Sequence, residues 1–303
     1  MYDDLGCLNT LTRRYFKELN KKGIKCIPFN KIRMYRGVVL NNRDHRKILV
    51  IDGKVVFSGG INLADEYINI GSKYGHWKDN CFKLTGDAVW SYTVMFLTLW
   101  NSVKEEDTDY EKYKVISNNK IKNGYVVPYG ENPLDNENIG EDIYLNIINN
   151  SNKYLYIFTP YLIIDSDLVD ALILAAKRGV DVRIVIPGIP DKKMVYSISK
   201  SYVDPLKKGG VKVYKYTPGF IHSKVFISDD IRATVGTLNI DYRSLYLHFE
   251  CGCYFENVDV IKDIKKDFDE TFKKCDLITK EDQKMNILKA FIQSILRLFS
   301  PFM

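Results

Sequence analysis

Apolar runs along the chain predict alternating strands and helices, most clearly in its second half. The runs NKYLYIFTPY (152–161) and DVRIVIP (181–187) are continuous, as expected of buried strands. Between them, SDLVDALILAAKRG has apolar residues three and four apart, which predicts a helix capped by Ser166 and ended by Gly179. The stretch KKMVYSISKSYVDPLKKGG predicts further helix, interrupted at Pro205. Short runs rich in β-branched and aromatic residues follow: VKVYKY, HSKVFISD, RATVGT and ECGCYF. This alternation predicts an α/β fold.

The first half repeats the later part of this pattern. The run LTRRYFKELNKKGIKCIPF parallels SYVDPLKKGGVKVYKYTP, since each reads as a helix, a glycine stop and a strand. The runs RKILVIDG and KVVFSGG likewise parallel SKVFISDD and RATVGT, and a long helix from Asp87 to about Val103 closes this half. We therefore predict two pseudo-twofold-related domains, each a mixed β-sheet flanked by helices. Their predicted bounds are 1–103 and 141–280, with a polar linker at 104–140 and an amphipathic helix at 281–303.

The repeat is unequal at its start. The second half has helix, strand, helix and strand over about 141–187 before its counterpart of MYDDLG, and the first half has nothing there. We therefore expect the first domain to lack its N-terminal strands, to have fewer strands in its sheet, and to belong to a truncated product.

Composition narrows the functional classes. The chain has 303 residues, a formal net charge of +6, six cysteines and four histidines. The charge suits an anionic partner such as phospholipid or nucleic acid, and equally an ordinary solvated surface. The cysteines form no C-x-x-C pair, so we interpret them as reduced thiols and expect no metal site. No signal peptide is evident, and the most apolar window, Ala88–Trp100, is too short to span a bilayer and predicts a buried helix.

One motif occurs twice with matching offsets. A histidine is followed by a lysine two positions on, an aspartate seven on, a glycine fourteen on and an asparagine seventeen on. The two copies are His45, Lys47, Asp52, Gly59 and Asn62, and His222, Lys224, Asp229, Gly236 and Asn239. One copy is a weak signal, but two copies with the same offsets are specific. Duplication of a structural hairpin would explain the glycines and strands, but not why half of the histidines lie there.

The residue types in the motif predict phosphoryl chemistry. Side chains two apart on a strand share a face, so His222 and Lys224 should point one way while Val225 and Ile227 point into the core. Two such sets would supply two imidazoles, two ammonium groups and two amides around a phosphoryl group. One imidazole can attack phosphorus, and the other can move the proton of the leaving and incoming alcohols. This chemistry requires no metal and no cofactor.

The paired motifs resemble those of the phospholipase D superfamily. Other segments are similar to its bacterial cardiolipin synthases: YDDLG, RDHRKILVIDGKVVFSGGINLADEY, YGHWKDN, FTPYLIID and IHSKVFISDD. The resemblance implies that a histidine takes a phosphatidyl group from phosphatidylglycerol and that a second phosphatidylglycerol accepts it, giving cardiolipin and glycerol. It implies His45 as nucleophile and His222 as general acid and base.

The resemblance also assigns the other motif residues. Phosphate oxygens would be held by Lys47, Lys224, Asn62 and Asn239. The aspartates Asp52 and Asp229 are motif positions that we expect to act structurally.

A downstream carboxylate should orient each histidine. By the same resemblance, Asp79 is the candidate behind His45, and Glu250 is the candidate behind His222; the alternative is that both are ordinary surface carboxylates. The two remaining histidines, His76 and His248, are interpreted as hydrogen-bonded structural residues near the site.

The C-terminal stretch MNILKAFIQSILRLFSPFM has an apolar stripe at helical spacing, flanked by Lys284, Lys289 and Arg297. It predicts either a core-packing helix or a helix lying on an anionic bilayer, and lipid chemistry favours the second. The expected location is therefore peripheral, on the cytoplasmic face of the cell membrane, with the anionic membrane surface and phosphatidylglycerol as partners and no nucleic acid. The alternatives are a hydrolase or nuclease of the same superfamily, or an inactive truncated remnant.

Overall fold

The chain forms a mixed α/β structure. A computed structural model describes residues 1–8, 10–31, 41–71, 73–117, 123–279 and 296–297. Within these residues the strands are β1 (Tyr2–Asp3), β2 (Pro28–Phe29), β3 (Arg43–Asp44), β4 (Ile48–Ile51), β5 (Val55–Gly59), β6 (His76–Lys78), β7 (Cys81–Thr85), β8 (Tyr125–Glu131), β9 (Tyr154–Phe158), β10 (Leu162–Ile163), β11 (Asp181–Pro187), β12 (Lys212–Tyr216), β13 (Gly219–Ile221), β14 (Val225–Ser228), β15 (Arg232–Gly236), β16 (Ile240–Asp241), β17 (His248–Glu256) and β18 (Cys275–Leu277). The helices are α1 (Tyr15–Lys21), α2 (Val89–Lys104), α3 (Ile139–Asn149), α4 (Ser166–Lys177), α5 (Lys193–Lys208), α6 (Tyr242–Tyr246) and α7 (Val260–Phe272), with 3₁₀ turns at Asp65–Ile68 and Tyr110–Tyr113.

A nine-stranded sheet organises the second half of the chain. Its order is β18-β12-β11-β9-β14-β15-β17-β3, with β8 also paired to β17. The strands β12, β11 and β9 are parallel, and β14, β15, β17 and β8 continue the sheet in antiparallel fashion. Helices cover both faces, which explains why β14 is buried along its whole length and β9 along all but its first residue. The strand β8 lies inside the predicted linker, 104–140, yet belongs to this sheet.

The first half has a smaller sheet. The strands β4, β5 and β7 form an antiparallel three-stranded sheet against which α2 packs, with Val56, Val89 and Tyr92 fully buried between them. The predicted α/β class is confirmed, and the first half has the smaller sheet, as expected.

The two halves are joined by two short parallel strand pairs that the pseudo-twofold relates. The strand β3 pairs with β17, through Arg43 opposite His248, and β13 pairs with β6, through Phe220 opposite Trp77. In both pairs the strand that precedes a motif histidine lies beside a strand of the other half that carries a carboxylate or leads directly to it: Glu250 lies within β17, and Asp79 follows β6.

Two predicted helix ends differ from the structure. The cap of α4 is Asp165, not Ser166, because the Asp165 carboxylate accepts a hydrogen bond of 2.8 Å from the Leu168 amide. Pro205 does not interrupt α5. It lies in the last turn, so its missing N–H costs one hydrogen bond, and its carbonyl still accepts from the Gly209 amide.

The predicted helix at 281–303 lies outside the described residues except for two positions. There Leu296 packs against the core of the second half, and the Arg297 guanidinium lies 4.3 Å from the centre of the Tyr202 ring. In the described part of the chain, no helix has the length and apolar character needed to cross a bilayer.

Candidate active site

The motif histidines lie in short segments that connect two strands. The segment His45–Lys47 links β3 to β4, and the segment 222–224 links β13 to β14, so the prediction that these residues lie within strands is wrong. Each segment is held by the other half, since the His45 amide donates to the Phe249 carbonyl (2.9 Å) and the His222 amide donates to the Lys78 carbonyl (2.7 Å). The next strand begins only after the lysine. In the second half this strand is β14, and its residues Val225 and Ile227 are buried in the core, as predicted.

Each histidine is bound by a carboxylate of the other half. His45 Nδ1 lies 2.8 and 2.9 Å from the two carboxylate oxygens of Glu250, and His222 Nδ1 lies 2.7 Å from Asp79 Oδ2. Both predicted carboxylates therefore bind a motif histidine, but the predicted pairing, Asp79 with His45 and Glu250 with His222, is wrong. The reason is the pairing of β3 with β17 and of β13 with β6, which places each carboxylate behind the histidine of the other half.

The two carboxylates have different surroundings. Glu250 is fully buried and accepts hydrogen bonds from the Thr237 and Ser244 hydroxyls as well as from His45. Asp79 accepts from the Asn80 amide at 2.8 Å and packs against Gly60, where an added Cβ would lie 2.1 Å from Asp79 Oδ1. Gly60 therefore leaves room for Asp79.

Burial and charge together fix the protonation of both pairs. Burial by itself raises the pKa of Glu250, but the nearby His45 and the hydrogen bonds to its oxygens lower that pKa well below the ordinary value. Burial also opposes the charge on Asp79, and His222 and Lys224 outweigh it, so the pKa of Asp79 is lowered as well. Burial lowers the pKa of His45 to about 4 and that of His222 to about 3.

Both imidazoles are therefore neutral near pH 7 and face ionised carboxylates. A carboxylate can only accept at Nδ1, so Nδ1 carries the proton in each ring. The Nε2 lone pair of each histidine is left available to act as nucleophile or base.

The two motif lysines fold back onto their own histidine segments. Lys47 Nζ donates to the His45 carbonyl at 2.6 Å, while Lys224 Nζ donates to the His222 carbonyl and lies 2.9 Å from His222 Nδ1. Lys224 is 3% exposed, and burial lowers its pKa to about 7. Burial lowers the pKa of Lys47 as well. Within the described residues neither ammonium group forms a salt bridge. A buried and a partly buried ammonium group, neither with a direct anionic partner, form a site that favours an anion.

The two motif asparagines differ in exposure and in hydrogen bonding. Asn239 is nearly buried and its Oδ1 has no hydrogen-bond partner in the described part of the chain. Asn62 is exposed and its side-chain amide donates to the Tyr67 hydroxyl at 2.6 Å. That both hold phosphate oxygens remains a prediction.

The motif aspartates lie at the turns after β4 and β14, away from the histidines. Both have positive φ, 52° for Asp52 and 57° for Asp229, which fits a tight turn. The Asp229 carboxylate accepts from three consecutive backbone amides, at Asn152, Lys153 and Tyr154, over 2.7 to 2.9 Å. These contacts support a structural role for Asp229. Asp52 is exposed, and no described residue hydrogen-bonds to its carboxylate.

Two residues at pseudo-equivalent positions were missed as site residues or given only a structural role. The Trp77 ring lies 5.4 Å from the His222 ring, and the His248 ring lies 5.8 Å from the His45 ring. Trp77 Nε1 and His248 Nε2 are buried without a hydrogen-bond partner among the described residues. Each lies two residues before an orienting carboxylate, which is the signal that could have found them. His76 instead bonds the Tyr216 hydroxyl at 2.9 Å, as its structural interpretation expects.

One group of described residues is close enough to hold a metal ion. Ligand atoms of His45, His248 and Glu250 lie within 4.8 Å of one another. The Glu250 oxygens already accept hydrogen bonds from His45, Thr237 and Ser244, so an ion there would have to replace the contact that orients His45. The donor set therefore fits the hydrogen-bonded pair better than a resident metal.

Comparisons with known proteins identify relatives of this chain. Residues 144–272 match the family model described as "Cardiolipin synthase, PLD-like domain". The chain is 35% identical over 308 residues to "Cardiolipin synthase 2" of Bacillus cereus, with 100% of this chain and 59% of the relative covered. It is 38% identical over 277 residues to "Cardiolipin synthase" of Clostridium perfringens, with 89% and 58% covered. An uncharacterized protein of Streptococcus mutans is 49% identical over 307 residues, with 100% and 66% covered.

A solved structure shows the same fold. "Phosphatidylserine synthase" of Haemophilus influenzae matches with a TM-score of 0.64 and 15% identity, over 88% of this chain and 70% of that one. Residues 144–272 therefore form a phospholipase D-like domain of the cardiolipin synthase type, and the chain as a whole is similar to cardiolipin synthases. It spans 58 to 66% of the length of the curated relatives named above.

Proposed function

We propose that this protein is a phosphatidyltransferase that joins two phosphatidylglycerol molecules into cardiolipin and releases glycerol. The observation that carries the proposal is the pair of crossed histidine–carboxylate contacts, His45 with Glu250 and His222 with Asp79. The buried Lys224 and the partly buried Lys47 lie beside them. The similarity to cardiolipin synthases supports the choice of substrate.

The first half-reaction forms a covalent intermediate. The Nε2 lone pair of His45 attacks phosphorus, and the bond between phosphorus and the glycerol oxygen breaks. His222 donates the proton that the departing glycerol needs. The bound phosphodiester adds negative charge near His222 and so raises the pKa of that imidazole, which lets it carry the proton. Lys47 and Lys224 balance the charge on the non-bridging oxygens.

The second half-reaction restores the enzyme. His222 accepts the proton of a hydroxyl group on a second phosphatidylglycerol, whose oxygen attacks the phosphohistidine. The bond between nitrogen and phosphorus breaks, cardiolipin leaves, and His45 is again neutral. The assignment of His45 as nucleophile is favoured by exposure, since its side chain is 27% accessible and that of His222 is 8% accessible.

The direct test is to incubate the protein with phosphatidylglycerol vesicles and to measure cardiolipin and glycerol. We expect both products in equal amounts, and no turnover by His45→Ala or His222→Ala. Phosphatidic acid without cardiolipin would show that water is the acceptor and that the protein is a hydrolase. Full activity in either variant would exclude the two-histidine mechanism.

The covalent step can be tested separately. Radiolabelled phosphatidylglycerol should leave acid-labile label on the protein after rapid denaturation, and His45→Ala should abolish this label. Label retained by His45→Ala and lost in His222→Ala would reverse the assignment of the nucleophile.

A further inference from the structure

One face of the first-half sheet is exposed where the pseudo-equivalent face of the second half is buried. Leu49 on β4 is 57% exposed, whereas its counterpart Phe226 on β14 is 1% exposed. Leu63, just past the motif asparagine, is fully exposed, whereas its counterpart Ile240 is 2% exposed. Equivalent positions thus have similar apolar residues and opposite exposure.

The second half shows what covers this face. The Tyr144 ring of α3 stacks on Phe226 with ring centres 4.2 Å apart and planes 9° from parallel. The Tyr144 hydroxyl donates to the Leu238 carbonyl at 2.8 Å, and β10 pairs with β16 through Leu162 opposite Ile240. A helix and the strands that follow it therefore bury this surface in the second half.

The edge strand β4 of the first-half sheet also lacks, among the described residues, a partner strand that its counterpart β14 has. The strand β14 pairs on one side with β15 and on the other with β9, antiparallel, from Val225 opposite Phe158 to Ser228 opposite Leu155. Its counterpart β4 pairs with β5 alone among the described residues. An unpaired strand edge exposes backbone donors and acceptors that can bind a further strand.

The motif aspartates Asp52 and Asp229 are a third, independent difference between the two halves. Asp229 accepts from the three amides at the start of β9 and so fixes where that strand begins. Asp52 has the same positive-φ turn conformation and has no such donors in the described part of the chain. The receiving carboxylate is thus present on the first half as well.

We propose that the exposed face and edge of the first-half sheet bind a partner polypeptide that presents one helix followed by one strand. The strand would pair antiparallel with β4, and its first amides would donate to Asp52. The helix would cover Leu49 and the neighbouring aliphatic residues, as α3 covers their counterparts. This inference does not depend on the proposed transferase activity.

The probe is the third of the Streptococcus mutans relative that lies outside the matched region, produced as a separate polypeptide. We expect it to form a 1:1 complex with this protein and to slow amide hydrogen exchange in β4 at least tenfold. The variants Leu49→Asp and Asp52→Ala should each weaken binding at least tenfold. Leu174→Asp is the matched control, because Leu174 is also an exposed leucine but lies on α4 of the second half, away from this face. It should bind normally.

Three results would overturn the proposal. The first is absence of binding, and the second is binding that leaves the exchange of β4 amides unchanged. The third is a dimer of this protein alone, seen by light scattering, whose formation protects β4, because a second copy would then be the occupant. Circular dichroism of Leu49→Asp and Asp52→Ala checks that both variants are folded.

Discussion

The buried ammonium group of Lys224 should destabilise the protein, and Lys224→Met tests this. The side chain is 3% exposed and its pKa falls from 10.5 to about 7. A tenfold change in proton affinity corresponds to about 1.4 kcal/mol, so at pH 7 the charge lowers the free energy of unfolding by about 4 kcal/mol. Methionine keeps the length of the chain but loses the hydrogen bond to the His222 carbonyl, worth about 1–2 kcal/mol. We expect a net gain in stability of about 2 kcal/mol at pH 7.

The pH dependence of this gain in stability shows whether the buried charge of Lys224 is its cause. The folded pKa of Lys224 is lower than the unfolded pKa, so the destabilisation is complete below pH 7 and disappears as the pH rises toward 10.5. The advantage of Lys224→Met should therefore shrink by about 1 kcal/mol per pH unit between pH 7 and 10. Urea denaturation of both proteins at several pH values measures it.

The matched control is Lys208→Met. Lys208 is exposed on α5 and forms a surface ion pair of 2.7 Å with Asp204. Its substitution should change stability by less than about 1 kcal/mol, with no steep pH dependence. The reasoning is refuted if Lys224→Met is destabilised at pH 7, or if its advantage is the same at pH 10. Added phosphate should stabilise the unmodified protein more than Lys224→Met, because the anion compensates the buried charge.

Three further predictions follow from the site and the repeat. The kcat/KM for phosphatidylglycerol should rise as the pH increases through about 4, because His45 then loses its proton. It should fall as the pH increases through about 7, because Lys224 then loses its charge. A glycerol-release assay over this pH range measures the rise and the fall. Glu250→Gln and Asp79→Asn should each lower kcat about 100-fold or more with little effect on KM, because the imidazoles lose their orientation, and steady-state kinetics checks this. Asp229→Ala should lower the free energy of unfolding by about 3 kcal/mol and Asp52→Ala by less than about 0.5 kcal/mol, measured by urea denaturation; equal effects would contradict the different roles of the two turns.

The two crossed histidine–carboxylate contacts depend on how the two pseudo-twofold-related halves pack together. The short strand pairs β3 with β17 and β13 with β6 both join the two halves and set the two histidine–carboxylate distances. A change that separates the halves should therefore disturb both pairs together. Among the described residues, neither motif histidine is bound by a carboxylate of its own half.

Local features of the chain were enough to find the motif, the element types and the repeat. His45 and His222 carry the same residues at the same offsets, and apolar runs mark β9, β11 and α4 because strand and helix periodicities depend only on near neighbours. The carboxylates Asp79 and Glu250 could also be named, but only through the resemblance to the phospholipase D superfamily.

Only the tertiary structure decided which carboxylate binds which histidine. The resemblance suggested the downstream carboxylate of the same half, but β3 pairs with β17 and brings Glu250 to His45 across 205 positions of the chain. The burial of Lys224, and hence its pKa, likewise depends on elements packed from both halves. The exposure of Leu49 is of the same kind: an apolar residue on a strand predicts a buried face, and whether another element covers that face is determined by contacts that no local pattern contains.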